Sequence, residues 1–452
     1  MNVLKMENDL GNDRISKLVF KIAIPSMLAQ FVSVLYSIVD RMFVGNIPGI
    51  GDLSLAGVGV CGPIVTMIGA FAFLVGVGGS PLMGIAMGSG NQKKAERILG
   101  NCFALLLGIG ILVTMAVLAL REPMLRLFGA SDVTYPYAES YFTIYVSGTV
   151  FALMSTGMGQ FIDAQGYARV GMCSVILGAV LNIVLDPVFI FLFHMGVRGA
   201  ALATILSQAA SAGFVLLFLF RKANVRITFG RYSKRLMLRV LQLGLTPFLI
   251  IAFDNVMIIG MNAMLQKFGG AQGDVLITVN TIAQSFMLVL TMPLGGISGG
   301  TQCILSYNYG AGQNDRVNRA EKFIIGYCVA YAAFMFLMSW VAGRQFVSLF
   351  TGDPMLQNAA CRAIRICTIA IIPLGAQYAI VDGFTGLGKV MFSLPLSIWR
   401  KTVFFCSIFI IPLILDASDI FYAEPISDVL AIVVTVPVYL WAKKRILKTK
   451  ES

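Results

Sequence analysis

The sequence predicts an all-α integral membrane protein, with twelve transmembrane helices arranged as two pseudo-twofold-related six-helix bundles. Three observations lead there: a composition that no soluble core could bury, apolar segments of membrane-crossing length, and a repeat relating the halves of the chain. Of 452 residues, 58% are hydrophobic and only 12% charged, with mean hydropathy +0.83. Soluble domains carry about 25% charged residues, so charge is depleted about twofold.

The apolar segments lie near 16–44, 53–79, 94–119, 134–160, 167–193, 197–220, 238–266, 276–303, 316–343, 355–381, 388–415 and 427–442. Most match the roughly 20 residues that cross a ~30 Å hydrocarbon core. They are too long for the alternating ~10-residue strands of an outer-membrane barrel. The first lacks a small-residue cleavage site after a short apolar run, so it is expected to be a retained helix, not a signal peptide.

The net charge of +12 is distributed to orient the chain, not to bind nucleic acid. With the amino terminus inside, most bases fall in inside segments, including Lys5, Arg14, Lys17 and Lys21 at the start and Lys443, Lys444, Arg445, Lys448 and Lys450 at the end. The 221–239 stretch alone holds Arg221, Lys222, Arg226, Arg231, Lys234, Arg235 and Arg239 without an acid. The outside loop between segments 11 and 12 is expected to hold Asp416, Asp419, Glu424 and Asp428 without a base. This is the positive-inside pattern with both termini cytoplasmic. Trp441, beside Lys443 and Lys444, reads as an interfacial anchor.

No catalytic or metal constellation emerges, so no enzyme and no cofactor is expected. The eight cysteines form no CxxC pair and read as small buried hydrophobes. The single histidine, His194, sits at a helix end. The string Gly76-Val77-Gly78-Gly79 follows an apolar helix instead of a strand, which is the wrong context for a dinucleotide fingerprint.

A shift of 222 residues superposes Pro25 on Pro247, Gly78 on Gly300, Gly88 on Gly310 and Gly90 on Gly312. The same shift puts Arg97 on Arg319, Leu127-Phe128 on Leu349-Phe350 and Gly166 on Gly388. Six segments separate the copies, so both enter from one side as parallel repeats, an internal symmetry of secondary transporters. The expected organisation is a bundle at 1–220, a cytoplasmic linker at 221–237 and a second bundle at 238–452.

Acids within the bilayer are costly and usually functional. At 1.5 Å per residue, Asp40 lies about 8 Å below the outer surface, Asp186 about 12 Å, Asn182 about 18 Å, Thr204 about 12 Å and Tyr141 about 9 Å. Asn182 and Asp186 stand at i, i+4 on one helix face. Alone, Asp40 could be the wet end of a helix, and Asp186 before Pro187 a polar kink. Together they form an oxygen-rich set suited to Na⁺, or a carboxylate pair able to carry H⁺. In the second bundle Asp254 lies near mid-membrane, where Asn280 and Gln284 could share its cavity. Asp382 reads as a wet helix end. Arg400 and Lys401 fall inside segment 11: either that helix starts late, or Arg400 faces the cavity and pairs with an acid such as Asp254. Tyr36, Asp254, Asn280, Gln284 and Arg400 are the candidates to line a substrate cavity. Most of the 23 Met and 32 Phe are packing, while a cavity-facing subset would suit flat apolar cations.

The stretches "AIPSMLAQ…VDRMFVG" and "LNIVLDP", with twelve segments in two parallel repeats, resemble the multidrug and toxic compound extrusion (MATE) family over nearly the whole chain. The likeness is to the bacterial branch that includes MepA-type drug exporters. It implies a MATE-type fold and a first-bundle cation site at Asp40, Asn182, Asp186, Thr204 and Tyr141, with Asp40 fifteen residues after Pro25. Pro25 is then a flexing point. It further implies a monomeric antiporter in a bacterial cell membrane that expels cationic or amphipathic small-molecule drugs against Na⁺ or H⁺. A flippase for a lipid-linked precursor on a related fold is the alternative, expected to show a large basic cavity.

Overall fold

The computed structural model describes residues 8–448; the expected inside bases Lys5 and Lys450 lie outside them. Ten helices are long and apolar enough to cross a membrane, and two bent pairs bring the spans to twelve. They are α1 (Ile15–Gly45), α2 (Gly51–Gly88), α3 (Gln92–Ala119) and α4 (Tyr135–Ser147, then Thr149–Ala164). Next come α5 (Ala168–Pro187, extended by Val188–Leu192) and α6 (Val197–Arg221). The second half repeats them as α7 (Lys234–Gly269), α8 (Gly273–Gly300, then Gln302–Gly310), α9 (Asn314–Val341), α10 (Pro354–Cys367, then Ile371–Gly386), α11 (Val390–Ile414) and α12 (Ala423–Lys448). The chain is a multi-pass membrane protein.

The repeat extends to its irregularities. The two bent spans are α4 and α10, with bends of 54° and 48°. The glycines that matched at one offset do so for steric reasons. Gly90 and Gly312, like Gly166 and Gly388, have φ between 70° and 84°, the left-handed region that ends helices cheaply only with glycine. Gly88 packs on the Tyr307 carbonyl and Gly310 on the Ile85 carbonyl, so a Cβ at either would collide with backbone.

The halves meet through α2 on α7 and α1 on α8, a pair of contacts that the repeat interchanges. Gly78 lies against the Val240 carbonyl and Gly244 against the Leu74 carbonyl, while Gly296 and Gly300 lie against Ser26. All of these close approaches sit toward the side of the membrane where α1 starts and α12 ends, called here the termini side. Helices α2 and α8 consequently run well past residues 79 and 303, where the apolar runs fade, because their ends are buried against the opposite half. Helix α7 starts at Lys234, ahead of the expected 238, because Ser233 Oγ accepts from the Leu236 amide.

Two segments bind the termini side together. Residues between α6 and α7 are pinned beneath the first half: Arg97 donates to the Arg231 carbonyl and Gln165 exchanges two hydrogen bonds with Val225. The stretch before α1 bridges both halves. Asn8 donates to the Gly166 carbonyl (2.9 Å), while Asn308 and Arg316 donate to the Leu10 carbonyl (2.9 and 3.2 Å). Leu10 is fully buried in a cluster with Ala168 of one half and Val317 and Ala320 of the other.

The cysteines are not uniformly buried: Cys173 and Cys406 are exposed, on helix faces turned to the surroundings, while Cys61, Cys102, Cys303, Cys328 and Cys367 are buried. Trp441 is half exposed and Arg445 stacks on its ring at 4.2 Å.

Candidate functional site

Helix α5 supplies the centre of the first-half site. Its apolar run is broken by Asn182 and Asp186, one turn apart and both buried. Pro187 follows and cannot donate to the carbonyl one turn back. The helix widens there into a π-turn, Val188–Leu192, of a kind frequent at functional sites. Asn182 Nδ2 donates to Asp186 Oδ1 at 3.3 Å and to Thr204 Oγ1 of α6 at 3.5 Å. Thr204 in turn donates to the Ala200 carbonyl, leaving its oxygen lone pairs facing Asn182.

Asp40 reaches this group from α1, its carboxylate beside that of Asp186. Among the described residues no donor reaches Asp40 Oδ1, Asp186 Oδ2 or Asn182 Oδ1, although all three are buried. Buried oxygens without donors are costly unless a cation or a proton is held between them. Two carboxylates, an amide oxygen and a hydroxyl are hard ligands of the type that hold Na⁺; equally, two facing carboxylates can share one proton. Arg41, the next residue, is exposed.

The aromatic wall is deeper than Tyr141 alone. Tyr141 and Tyr145 of α4 stack at 5.8 Å with planes 16° apart. Tyr141 lies within electrostatic reach of Asp40 and Asp186, and Tyr36 within reach of Asp40 and Tyr145. Gln208 of α6 donates to the Tyr145 hydroxyl at 3.5 Å, and among the described residues its own oxygen has no donor. Tyr145 and Gln208 were not anticipated from the sequence, though Tyr145 follows Tyr141 by one turn, which was the available signal.

The second half holds a different cluster, and here the expected partners are exchanged. Lys401, not Arg400, is ion-paired with Asp254. Arg400 pairs instead with α12: its Nε donates to Asp428 Oδ1 at 2.7 Å and Nη2 to Glu424 Oε1 at 3.2 Å. Adjacent residues on a helix point about 100° apart, so the two bases serve different neighbours. Glu424 and Asp428, expected in an outside loop, belong to α12, which starts at Ala423, and Asp428 is fully buried.

The remaining candidates separate. Asn280 is buried but donates to Asn262 at 3.0 Å, and Gln284 is half-buried with no bond to Asp254 among the described residues. Asp382 is not a wet helix end: α8 crosses it, and Ser298 donates to its Oδ2. Pro25 is buried inside an α1 that continues to Gly45.

The MatE family model matches residues 25–188 and 251–411, more than half of the chain. The multidrug export protein MepA of Staphylococcus haemolyticus (strain JCSC1435) is 22% identical over 419 residues, 92% of this chain and 91% of that protein. MepA of Staphylococcus aureus (strain N315) is 21% identical over 443 residues, 96% of either chain. Among solved structures, a MATE protein in complex with MaD3S aligns with TM-score 0.89 at 25% identity, covering 98% of both chains. An outward-facing MATE family transporter of the MOP superfamily shares the fold at TM-score 0.90 and 24% identity, over the full length of both.

Proposed function

Since the chain belongs to the MatE family, we propose that it is a multidrug exporter that expels cationic or amphipathic compounds in antiport with Na⁺ or H⁺. The relatives named multidrug export proteins support the export reading, and a related structure with a bound compound supports small-molecule substrates. The observation that carries the coupling reading is the set of donorless buried oxygens on Asp40, Asn182 and Asp186.

In this reading the bundles 1–220 and 238–452 rock about their shared interface, the chain acts as a monomer in a bacterial plasma membrane, and both termini are cytoplasmic. A cation entering from outside sits between Asp40 and Asp186, with Asn182 and Thr204 completing its oxygen shell and Tyr141 flanking it. Neutralising the facing carboxylates removes their repulsion and lets α1 and α5 approach. Pro25 lacks the amide that would bond the Lys21 carbonyl, so α1 yields there and transmits the movement to the interface.

The flippase alternative expects free bases for an anionic head group. Arg400 and Lys401 are both held by carboxylates, which favours export of cations. The test is dye efflux from inverted vesicles under an imposed ΔpH or ΔNa⁺, with Asp40→Asn as the comparison. The gradient that drives the wild type identifies the coupling ion. Efflux of undiminished rate in Asp40→Asn, at equal protein, would overturn the coupling reading.

A further inference from the structure

Helix α7 carries two distinct stripes. Leu238, Leu245, Val256 and Ile259 recur on one face and are exposed along the whole helix, as lipid-facing residues are. On another face stand Val240, Gly244, Ile251, Asn255, Ile258 and Asn262, at steps of three, four and seven. At the termini side this second stripe is locked onto α2 through Gly78 and Leu74. Farther along, Ile258 on the same stripe is 50% exposed. The stripe is therefore uncovered on the side away from the termini, an open face called here the cleft.

Asp254 is one turn before Ile258, on the edge of that stripe, and its side chain is 44% exposed. Lys401, reaching it from α11, is 9% exposed. The acid thus stands on the cleft wall with the amine behind it. Behind both, Arg400 is engaged by Asp428 and Glu424. Lys401 also lies within electrostatic reach of Glu424 and Asp428, and Asp428 Oδ2 has no donor among the described residues. With every group ionised, three carboxylates face two bases, so the cluster carries one uncompensated negative charge. Of the three acids, Asp254 is the one that meets the cleft.

We propose that Asp254 is the docking carboxylate for an organic monocation and that Lys401 is a tethered counter-ion competing with it. When the site is vacant, Lys401 holds Asp254. When a substrate cation arrives, Asp254 turns to it and the ammonium withdraws toward Glu424 and Asp428, whose spare acceptor receives it. A lysine suits this exchange because it is a point charge on a flexible stem, whereas the rigid fork of arginine holds a carboxylate in place. The apolar Ile251 and Ile258 flanking the acid suit a hydrophobic cation and leave a strongly hydrated one without compensation for its lost water. This proposal rests on the export reading and names the substrate class of its cleft.

The experiment measures equilibrium binding of tetraphenylphosphonium, and of uncharged triphenylphosphine oxide, to the full-length protein in lipid nanodiscs. Lys401→Met is expected to bind the cation about tenfold more tightly, a gain worth about 1.4 kcal/mol, with the uncharged compound unaffected. Asp254→Asn is expected to lose about tenfold in cation affinity only. Should Lys401→Met fail to fold, Lys401→Arg decides, with weaker cation binding expected as the firmer fork holds Asp254. An unchanged dissociation constant for the cation, or an equal change for the uncharged compound, overturns the proposal. Gradient-driven efflux in wild-type vesicles with no charge-selective shift in Lys401→Met sinks this inference alone. A charge-selective shift in a protein that exports nothing under either gradient sinks the export reading alone.

Discussion

The two halves share a scaffold and differ in what it holds. At the 222-residue offset, Asp40 corresponds to Asn262, Asn182 to Phe404, Asp186 to Ile408 and Thr204 to Ile426. Asn182 and Asp186 thus give way to a buried apolar pair in the second half, Phe404 and Ile408. In the other direction, Asp254, Arg400, Lys401, Glu424 and Asp428 correspond to Val32, Gly178, Ala179, Leu202 and Leu206. Glycines at helix crossings and left-handed turns recur, because backbone approach tolerates nothing larger. Interior charge does not recur, since Asp40 and Asp186 face each other without a base while Asp254, Glu424 and Asp428 are paired with Lys401 and Arg400. Under the functions proposed above, the duplicated frame holds one site for a small inorganic cation and another for a larger organic one.

The sharpest break of that comparison is expected at Asp186. Asp186→Asn should reduce gradient-driven efflux to background, while Ile408→Val at the matching position leaves it within about twofold, as a conservative core change does; vesicle efflux at equal protein measures both. Next is Arg400→Met, which strands two buried carboxylates and should lower unfolding free energy by about 3–5 kcal/mol. Chemical unfolding in detergent reads that loss, and adding Asp428→Asn should recover part of it. The scaffold predicts symmetry instead: Gly88→Ala and Gly310→Ala should cost similar amounts, about 1–3 kcal/mol each, by overpacking. Unequal costs in the same unfolding assay would mean the crossings are not equivalent. The smallest effect is Tyr145→Phe, which removes one long hydrogen bond from Gln208 and should cost under about 1 kcal/mol, detectable as a slight shift in Tm.

What the sequence revealed follows from what spacing can encode. Apolar length exposed the spans, and a single offset exposed the repeat, because both are properties of the chain alone. The pairing of Asn182 with Asp186 was legible for the same reason, as one helix carries both. Which base meets which acid was not: Arg400 and Lys401 are neighbours in sequence, and their partners are decided by the packing of α7 and α12 around α11. Glu424 and Asp428 were misread as loop residues because acids dilute hydropathy at a helix start, and the guanidinium that makes their burial tolerable comes from another span. Asp382 is sheltered by α8, which is distant in sequence and contributes the hydroxyl of Ser298. The bends at Gly148 and around residues 368–370 leave no mark in an apolar run, since bending a helix changes its direction and not its composition.

The stretch before α1 has a thermodynamic meaning of its own. Leu10 is fully buried between the halves, and the backbone around it is held by Asn308 and Arg316 on one side, while Asn8 grips Gly166 on the other. Burying one leucine is worth about 1.5–3 kcal/mol, and each hydrogen bond about 1 kcal/mol. This short stretch therefore acts as ballast on that face, a weight that holds the two halves together there. Parting the bundles at that face would mean first lifting this weight, so residues 8–13 set part of the cost of such a movement.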